Sequence, residues 1–173
     1  MQNENFSPAF SFLLNLDVDH ERISAKNISS LRQYLDMKQA VFVTEFDFQD
    51  KVHVKYSLSA LRHLPFSALI QFEVVARKEV EITPASVIES PDILKEVKNT
   101  YAVIDRPHVK LPLMTSVGKS PSGKHTIAAS TSFIFEKNEI PPLVHEDWDY
   151  NMHLTKFNRK LKAGEKFSFC IVG

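Results

Sequence analysis

Two stretches of strict alternation constrain this chain more than any other feature of it. Val52, Val54, Tyr56 and Leu58 alternate with more polar neighbours, and so do Ala68, Ile70, Phe72, Val74 and Ala76. A period of two puts every apolar side chain of a segment on one side of an extended strand, so each segment has a core side and a second side. Val41 to Phe48, rich in β-branched and aromatic residues, suits the same pleated surface. With Gln49-Asp50-Lys51 as the turn, 41–58 is the best hairpin candidate in the chain.

The rest of the chain is read in the same terms. Ala9 to Leu16 is expected to be a strand, Asp17 to His20 a polar break, and Glu21 to Lys26 a short second strand. Val80 and Ile82 resume the alternation after the charged Arg77-Lys78-Glu79. Ser90-Pro91-Asp92 is a helix-start signal, with a Ser cap, Pro at the first position and an acid in the first turn; Ile93, Leu94 and Val97 would share one face of a short helix. Strands are expected over 109–117 and 126–136, followed by a proline-bearing loop at Asn138 to Pro142. Leu154 to Leu161 and Phe167 to Val172 are expected to form a last pair around Ala163-Gly164-Glu165-Lys166. Many short strands with turn signals between them predict an all-β fold: a two-sheet antiparallel sandwich with at most one short helix, in one domain over 1–173.

Composition narrows the function classes. Lys plus Arg and Asp plus Glu number 21 each, and the basic residues are scattered, which argues against a nucleic-acid footprint. No run approaches the ~18 consecutive apolar residues of a membrane span. The single Cys170 lies in the apolar run Phe167 to Val172 and reads as a small core residue. The opening MQNENFSPAF lacks the pattern of a signal peptide, so a soluble, cytoplasmic setting is expected.

Four groups of residues invite a chemical reading. Gly118-Lys119-Ser120-Pro121-Ser122-Gly123-Lys124-His125 comes within one residue of a phosphate-binding loop. His125 takes the place of the hydroxyl, however, and a strand rather than a helix is expected next, so it reads as an exposed loop. Glu146-Asp147-Trp148-Asp149-Tyr150 gathers three carboxylates around the only tryptophan. Glycoside hydrolysis needs two carboxyl groups on opposite sides of the scissile bond, ~5 to 9.5 Å apart, and neighbours in one short acidic loop are poorly placed for that. Trp148 and Tyr150 are instead the candidate sugar-contacting residues, because an exposed ring stacks on a sugar face. Of the seven histidines none shows paired ligand spacing; His145, Asp147 and His153 could meet in space, but no metal or other cofactor is expected. Cys170 has no electropositive setting in its strand-like surroundings, and no Gly-x-Ser-x-Gly elbow occurs, so no catalytic residue is assigned.

The wording of Leu31 to Ala76 carries a resemblance. Gln33-Tyr34-Leu35-Asp36-Met37-Lys38, an alternating strand, Ala60-Leu61-Arg62-His63-Leu64 and a strand ending at Ala76 resemble the N-terminal domain of glycoside hydrolase family 65, which contains disaccharide phosphorylases and related glucosidases. Val80-Glu81-Ile82-Thr83 and Val87-Ile88-Glu89-Ser90 fall where the family has another strand pair, and Leu161 to Phe169 resembles its closing strands. The resemblance implies a super-sandwich-like domain whose catalytic partner is a C-terminal (α/α)6 barrel, where a glutamate acts as general acid and phosphate or water attacks with inversion. It also implies a chain inactive by itself, docked on that barrel through exposed apolar side chains and contributing to homodimer contacts. The family domain has further strands before the position of Phe10, so this chain is expected to be shortened, with uncovered apolar faces as the consequence. The alternative is a stand-alone carbohydrate-binding module with an aromatic groove. An independent small enzyme using Glu146 or Asp149 is the poorest reading.

Overall fold

The alternating segments form the hairpin they predict. In a computed structural model that describes residues 11–107, 109–135 and 141–173, and their side chains except at 11–14 and 109, β1 is Ser11–Val18, β2 Glu21–Arg22, β3 Ile28–Asp36, β4 Val41–Phe48, β5 Val52–Ala60 and β6 Ala68–Ala76. Phe48 pairs with Val52 across the Gln49-Asp50-Lys51 turn, closed by the Lys51 amide donating to the Phe48 carbonyl at 3.2 Å. There follow β7 Val80–Glu89, β8 Lys95–Arg106, β9 Val109–Lys119, β10 Thr126–Phe135, β11 Val144–Asp149, β12 Met152–Lys156, β13 Arg159–Leu161 and β14 Lys166–Val172. The expectations for Ala9-Phe10, the opening segment and Asn138 to Ile140 lie outside the described residues.

The strands form two antiparallel sheets, as expected. One has eight strands in the order β3-β4-β5-β6-β14-β10-β9-β8; the other has six, in the order β11-β12-β7-β1-β2 with β13 also on β7. Val52, Val54, Phe72 and Val74 face Leu16, Val18, Val80, Ile82 and Leu161 across one core. Aromatic rings fill its centre: Tyr56 stacks on Phe72 at 5.1 Å, Phe72 on Phe169 at 5.2 Å, and Phe157 meets Phe133 and Phe169 edge-on at 5.3 and 5.6 Å. A smaller core of Ile88, Leu94 and Met114 joins β7 to β8 and β9. The two cores arise because β10 changes partners. Thr126 to Thr131 pair with β9, and Ser132 to Phe135 pair with β14.

Several expectations are corrected. The predicted helix at Ser90 is a turn, with the Leu94 amide on the Pro91 carbonyl at 2.9 Å, and the chain enters β8 directly. A one-turn helix is marginal by itself, whereas the β-branched and aromatic residues of 97–104 gain a long ladder with β9. No helix occurs among the described residues, and so none long and apolar enough to cross a membrane. Val80 to Glu89 is one strand rather than a pair. Leu154 to Leu161 breaks at Phe157-Asn158 into β12 and β13, both on β7, so it does not pair with Phe167 to Val172, which lies in the other sheet. The break faces Pro84, whose missing N–H suits the gap between the two ladders. Cys170 is half-buried on the side of β14 opposite the core residues Phe169 and Ile171, not in the core itself. The strand β3 over Ile28–Asp36 has no counterpart in the sequence reading.

The β1–β2 turn is held from outside. Asp19 and His20 both have positive φ (49° and 65°), the conformation of a two-residue hairpin turn that matches strand twist. The Asp19 carboxylate accepts from the Glu81 amide at 3.0 Å and from Lys51 at 2.9 Å, which holds its acid constant below the usual carboxylate range.

Two outcomes are expected. Phe169→Ala removes a ring that touches four others and is expected to cost about 3–5 kcal/mol in urea unfolding. Because the Asp19 acid constant is lowered on folding, its contribution to stability is present above the unfolded value of ~3.9 and lost as pH falls below it. Asp19→Asn should therefore flatten the acid limb of a stability–pH curve and leave the region above pH ~6 with a constant offset.

Candidate functional site

The residues singled out for chemistry gather on the β11–β12 hairpin, at the edge of the six-stranded sheet. The predicted acidic loop is in fact strand: Glu146 to Asp149 belong to β11, with Glu146 opposite Leu154 and Asp147 opposite His153. Tertiary pairing overrides the charge run, because Lys156 neutralises Glu146 at 2.7 Å.

On one side of β11, Trp148 donates from Nε1 to the Glu146 carboxylate at 3.1 Å. Lys156 first, and Trp148 second, hold the Glu146 carboxyl below the usual range, so it is ionised at neutral pH and unsuited to be a general acid. Asp149 accepts from the Tyr150 amide at 2.6 Å. Trp148 and Tyr150 are both more than half exposed and line a shallow recess of about 330 Å³ with Val97, Asn99, Asp147 and Asp149. The structure thus brings the two candidate aromatics together, but gathers no acid–base pair around them.

On the other side, residues opposite one another in an antiparallel ladder share a face, so Asp147 and His153 project together with His145 two positions away. His153 is fully buried at 0% exposure, and its ring bridges the sheets. Its Nε2 lies 2.8 Å from Ser116 Oγ on β9; Ser116 donates to Asn99 Oδ1 at 2.8 Å, and Asn99 Nδ2 donates to the Tyr150 carbonyl at 3.3 Å. His145 Nε2 and His153 Nδ1 are 3.2 Å apart, and Tyr101 stacks flat on His145 at 4.9 Å. Burial first, then the neighbouring His145, pushes the His153 acid constant down to about 4, so its ring is neutral at physiological pH. Sequence spacing showed no ligand pair here because the pairing runs across a hairpin rather than along a helix.

The other flagged motifs carry no chemistry. Gly118 and Lys119 end β9 and Thr126 begins β10, so the phosphate-loop look-alike is a hairpin connection with Gly123 at φ 74°. A broader open recess of about 1160 Å³ involves Lys55, Gln71, Glu73, Glu165 and Cys170. Its carboxylates are tied to cations, Glu73 to Lys166 at 2.6 Å and Glu165 to Arg159 at 3.5 Å. The Lys162 amide, then Arg159, keep Glu165 below the usual carboxylate range.

An exposed apolar surface lies at the far end of the larger sheet. One cross-strand row runs Leu35, Phe42, Leu58, Ile70, Ile171, Phe133. Ile171 and Phe133 are buried, but Leu58, Phe42 and Leu35 are 41%, 38% and 56% exposed. The smaller sheet does not extend over them. Leu64 and Phe66, also exposed, lie in the adjoining β5–β6 loop.

No family model matches the chain. Kojibiose hydrolase of Mucilaginibacter mallensis is 40% identical over 172 residues, 98% of this chain and 25% of that protein. Kojibiose hydrolase of Flavobacterium johnsoniae is 34% identical over the same span, again 25% of its length. The chain thus spans about a quarter of the curated relatives it matches. Among solved structures, a human-microbiome protein assigned as a kojibiose phosphorylase superposes on 92% of this chain and 21% of its own, with a TM-score of 0.66 at 10% identity, a likeness of fold. The match over nearly the whole chain to a quarter of each relative supports an N-terminal domain of a glycoside hydrolase family 65 enzyme, and the solved structure adds a likeness of fold.

Proposed function

We propose that this domain is non-catalytic and serves an enzyme that cleaves α-glucosidic disaccharides by hydrolysis or phosphorolysis, with kojibiose as the first substrate to test. The observation that carries the reading is the match of the chain, end to end, to a quarter of each kojibiose hydrolase. The remaining three quarters of such an enzyme supplies the catalytic groups, in the expected (α/α)6 barrel. The ion-paired Glu146 and Glu165 agree with this, since a glycosidase acid needs a carboxyl held protonated rather than one stabilised as the anion.

The uncovered row Leu35–Phe42–Leu58 is the docking surface for that catalytic region. Exposed apolar side chains in a contiguous row cost solvation unless something covers them. A second copy of the domain is the rival occupant. Trp148 and Tyr150, whose rings are exposed, supply sugar contact.

The native species in source cells, detected with an antibody against this segment, should be several times heavier than 19.8 kDa. A native species of 19.8 kDa would overturn the reading and leave a stand-alone sugar-binding module. In the full-length enzyme, Phe42→Glu with Leu58→Lys should loosen domain packing, seen as faster proteolytic separation of the domain and a lower Tm. If the double change instead converts a dimer to an active monomer, the row is a self-association surface. Trp148→Ala should raise KM for the disaccharide by ~5-fold or more while leaving Tm unchanged, the expected size for loss of one aromatic contact worth ~1 kcal/mol.

A further inference from the structure

His145, Asp147 and His153 present one ligand atom each within 4.8 Å of one another, on a single face of the β11–β12 hairpin. The hydrogen-bond chain behind them decides which ring nitrogen is free. Asn99 donates its amide N–H to the Tyr150 carbonyl, so its oxygen faces Ser116 and takes the Ser116 hydroxyl proton. Ser116 Oγ can then only accept from His153, which requires the proton of the neutral ring to sit on Nε2. His153 Nδ1 is left with a lone pair aimed at His145 Nε2, 3.2 Å away. That is the arrangement of a metal-binding imidazole, whose far N–H is fixed by an oxygen acceptor.

We propose that His145 Nε2, His153 Nδ1 and the Asp147 carboxylate bind a divalent transition-metal ion of the zinc class. Zinc bonds of ~2.0–2.2 Å in a tetrahedron place ligand atoms roughly 3.3–3.6 Å apart. The two nitrogens stand at 3.2 Å, and Asp147 Oδ1 lies 3.8 Å from His145 Nε2 and 3.9 Å from His153 Nδ1. Asp147 is 63% exposed, which leaves its carboxylate room to turn inward. A hydrogen bond from His145 to His153 would satisfy the two rings, but it leaves the carboxylate beyond hydrogen-bond reach of both. A cation uses all three lone pairs at once. Two imidazoles with one carboxylate suit zinc and disfavour magnesium or calcium, which take oxygen ligands. Bound there, the ion staples β11 to β12 and, through Ser116, to β9, and so fixes the tip that carries Trp148 and Tyr150.

The test is calorimetric titration of the untagged, EDTA-treated 173-residue protein with zinc chloride at neutral pH, with cobalt(II) as a spectroscopic stand-in. One equivalent should bind saturably, raise Tm reversibly with EDTA, and give the intense visible bands of tetrahedral cobalt. Asp147→Asn, at a position 63% exposed, and His145→Gln, at one 17% exposed, should abolish saturable binding with the circular-dichroism spectrum unchanged, whereas exposed His63→Gln should bind as the parent does. Ser116→Ala should weaken binding by ~10–100-fold through loss of the acceptor behind His153. Absence of one-to-one binding, or equal binding by the His145 and Asp147 variants, would overturn the site and leave a plain His–His hydrogen bond.

Discussion

The architecture depends on the last strand of the described fold. Among the described residues β14 is the only link between two parts of the larger sheet, β3 to β6 on one side and β10, β9 and β8 on the other. Its inward residues Phe169 and Ile171 sit opposite Phe72 and Ile70 on one flank and Phe135 and Phe133 on the other. The rings of Phe72, Phe133, Phe157, Phe167 and Phe169 converge there. Burying that much aromatic surface at one seam offsets the loop-closure cost of joining strands nearly a hundred residues apart in sequence. Until β14 arrives, neither half of the sheet has a complete core.

Unequal sheets follow from that arrangement and account for the domain's outer surface. Eight strands face six, and the inward face of β3, β4 and β5 runs past its cover at the end that holds Leu35, Phe42 and Leu58. Phe48, Val52 and Val54, at the other end of β4 and β5, are buried. A row that is fully buried at Ile171 and Phe133 emerges at Leu58, Phe42 and Leu35 without changing its chemistry. At the opposite end the cover is β12, and there the contact is polar: His153, Ser116 and Asn99 link the sheets where Ile88 and Met114 end the apolar core. One end of the sandwich therefore presents exposed apolar side chains, and the other a polar cluster.

Much of the fold was legible from local pattern. Val52 to Leu58 and Ala68 to Ala76 carry their period plainly because each is half-buried, with one side apolar and the other not. Lys95 to Arg106 does not, since only alternate residues near its start pack inward and Ser90-Pro91-Asp92 offers a convincing local helix start. Its partner β9, not its own propensity, makes it a strand. The acidic Glu146 to Asp149 was misread for the same reason: the neutralising Lys156 comes from the neighbouring strand. The family resemblance, carried by Gln33 to Lys38 and Ala60 to Ala76, stands on the relatives found over nearly the full chain.

The amino-acid sequence by itself determined the all-β class, the 41–58 hairpin with its core side, and the family resemblance, because these depend on residues close together along the chain. Only the tertiary structure decided that Leu154 to Leu161 divides between two ladders on β7, that Leu58 and Phe42 stay uncovered, and that His145, Asp147 and His153 share one face. Each of those depends on which strand lies beside which. In a β-sheet that choice is made by contacts remote in sequence, whose register decides whether an inward side chain meets a partner or solvent.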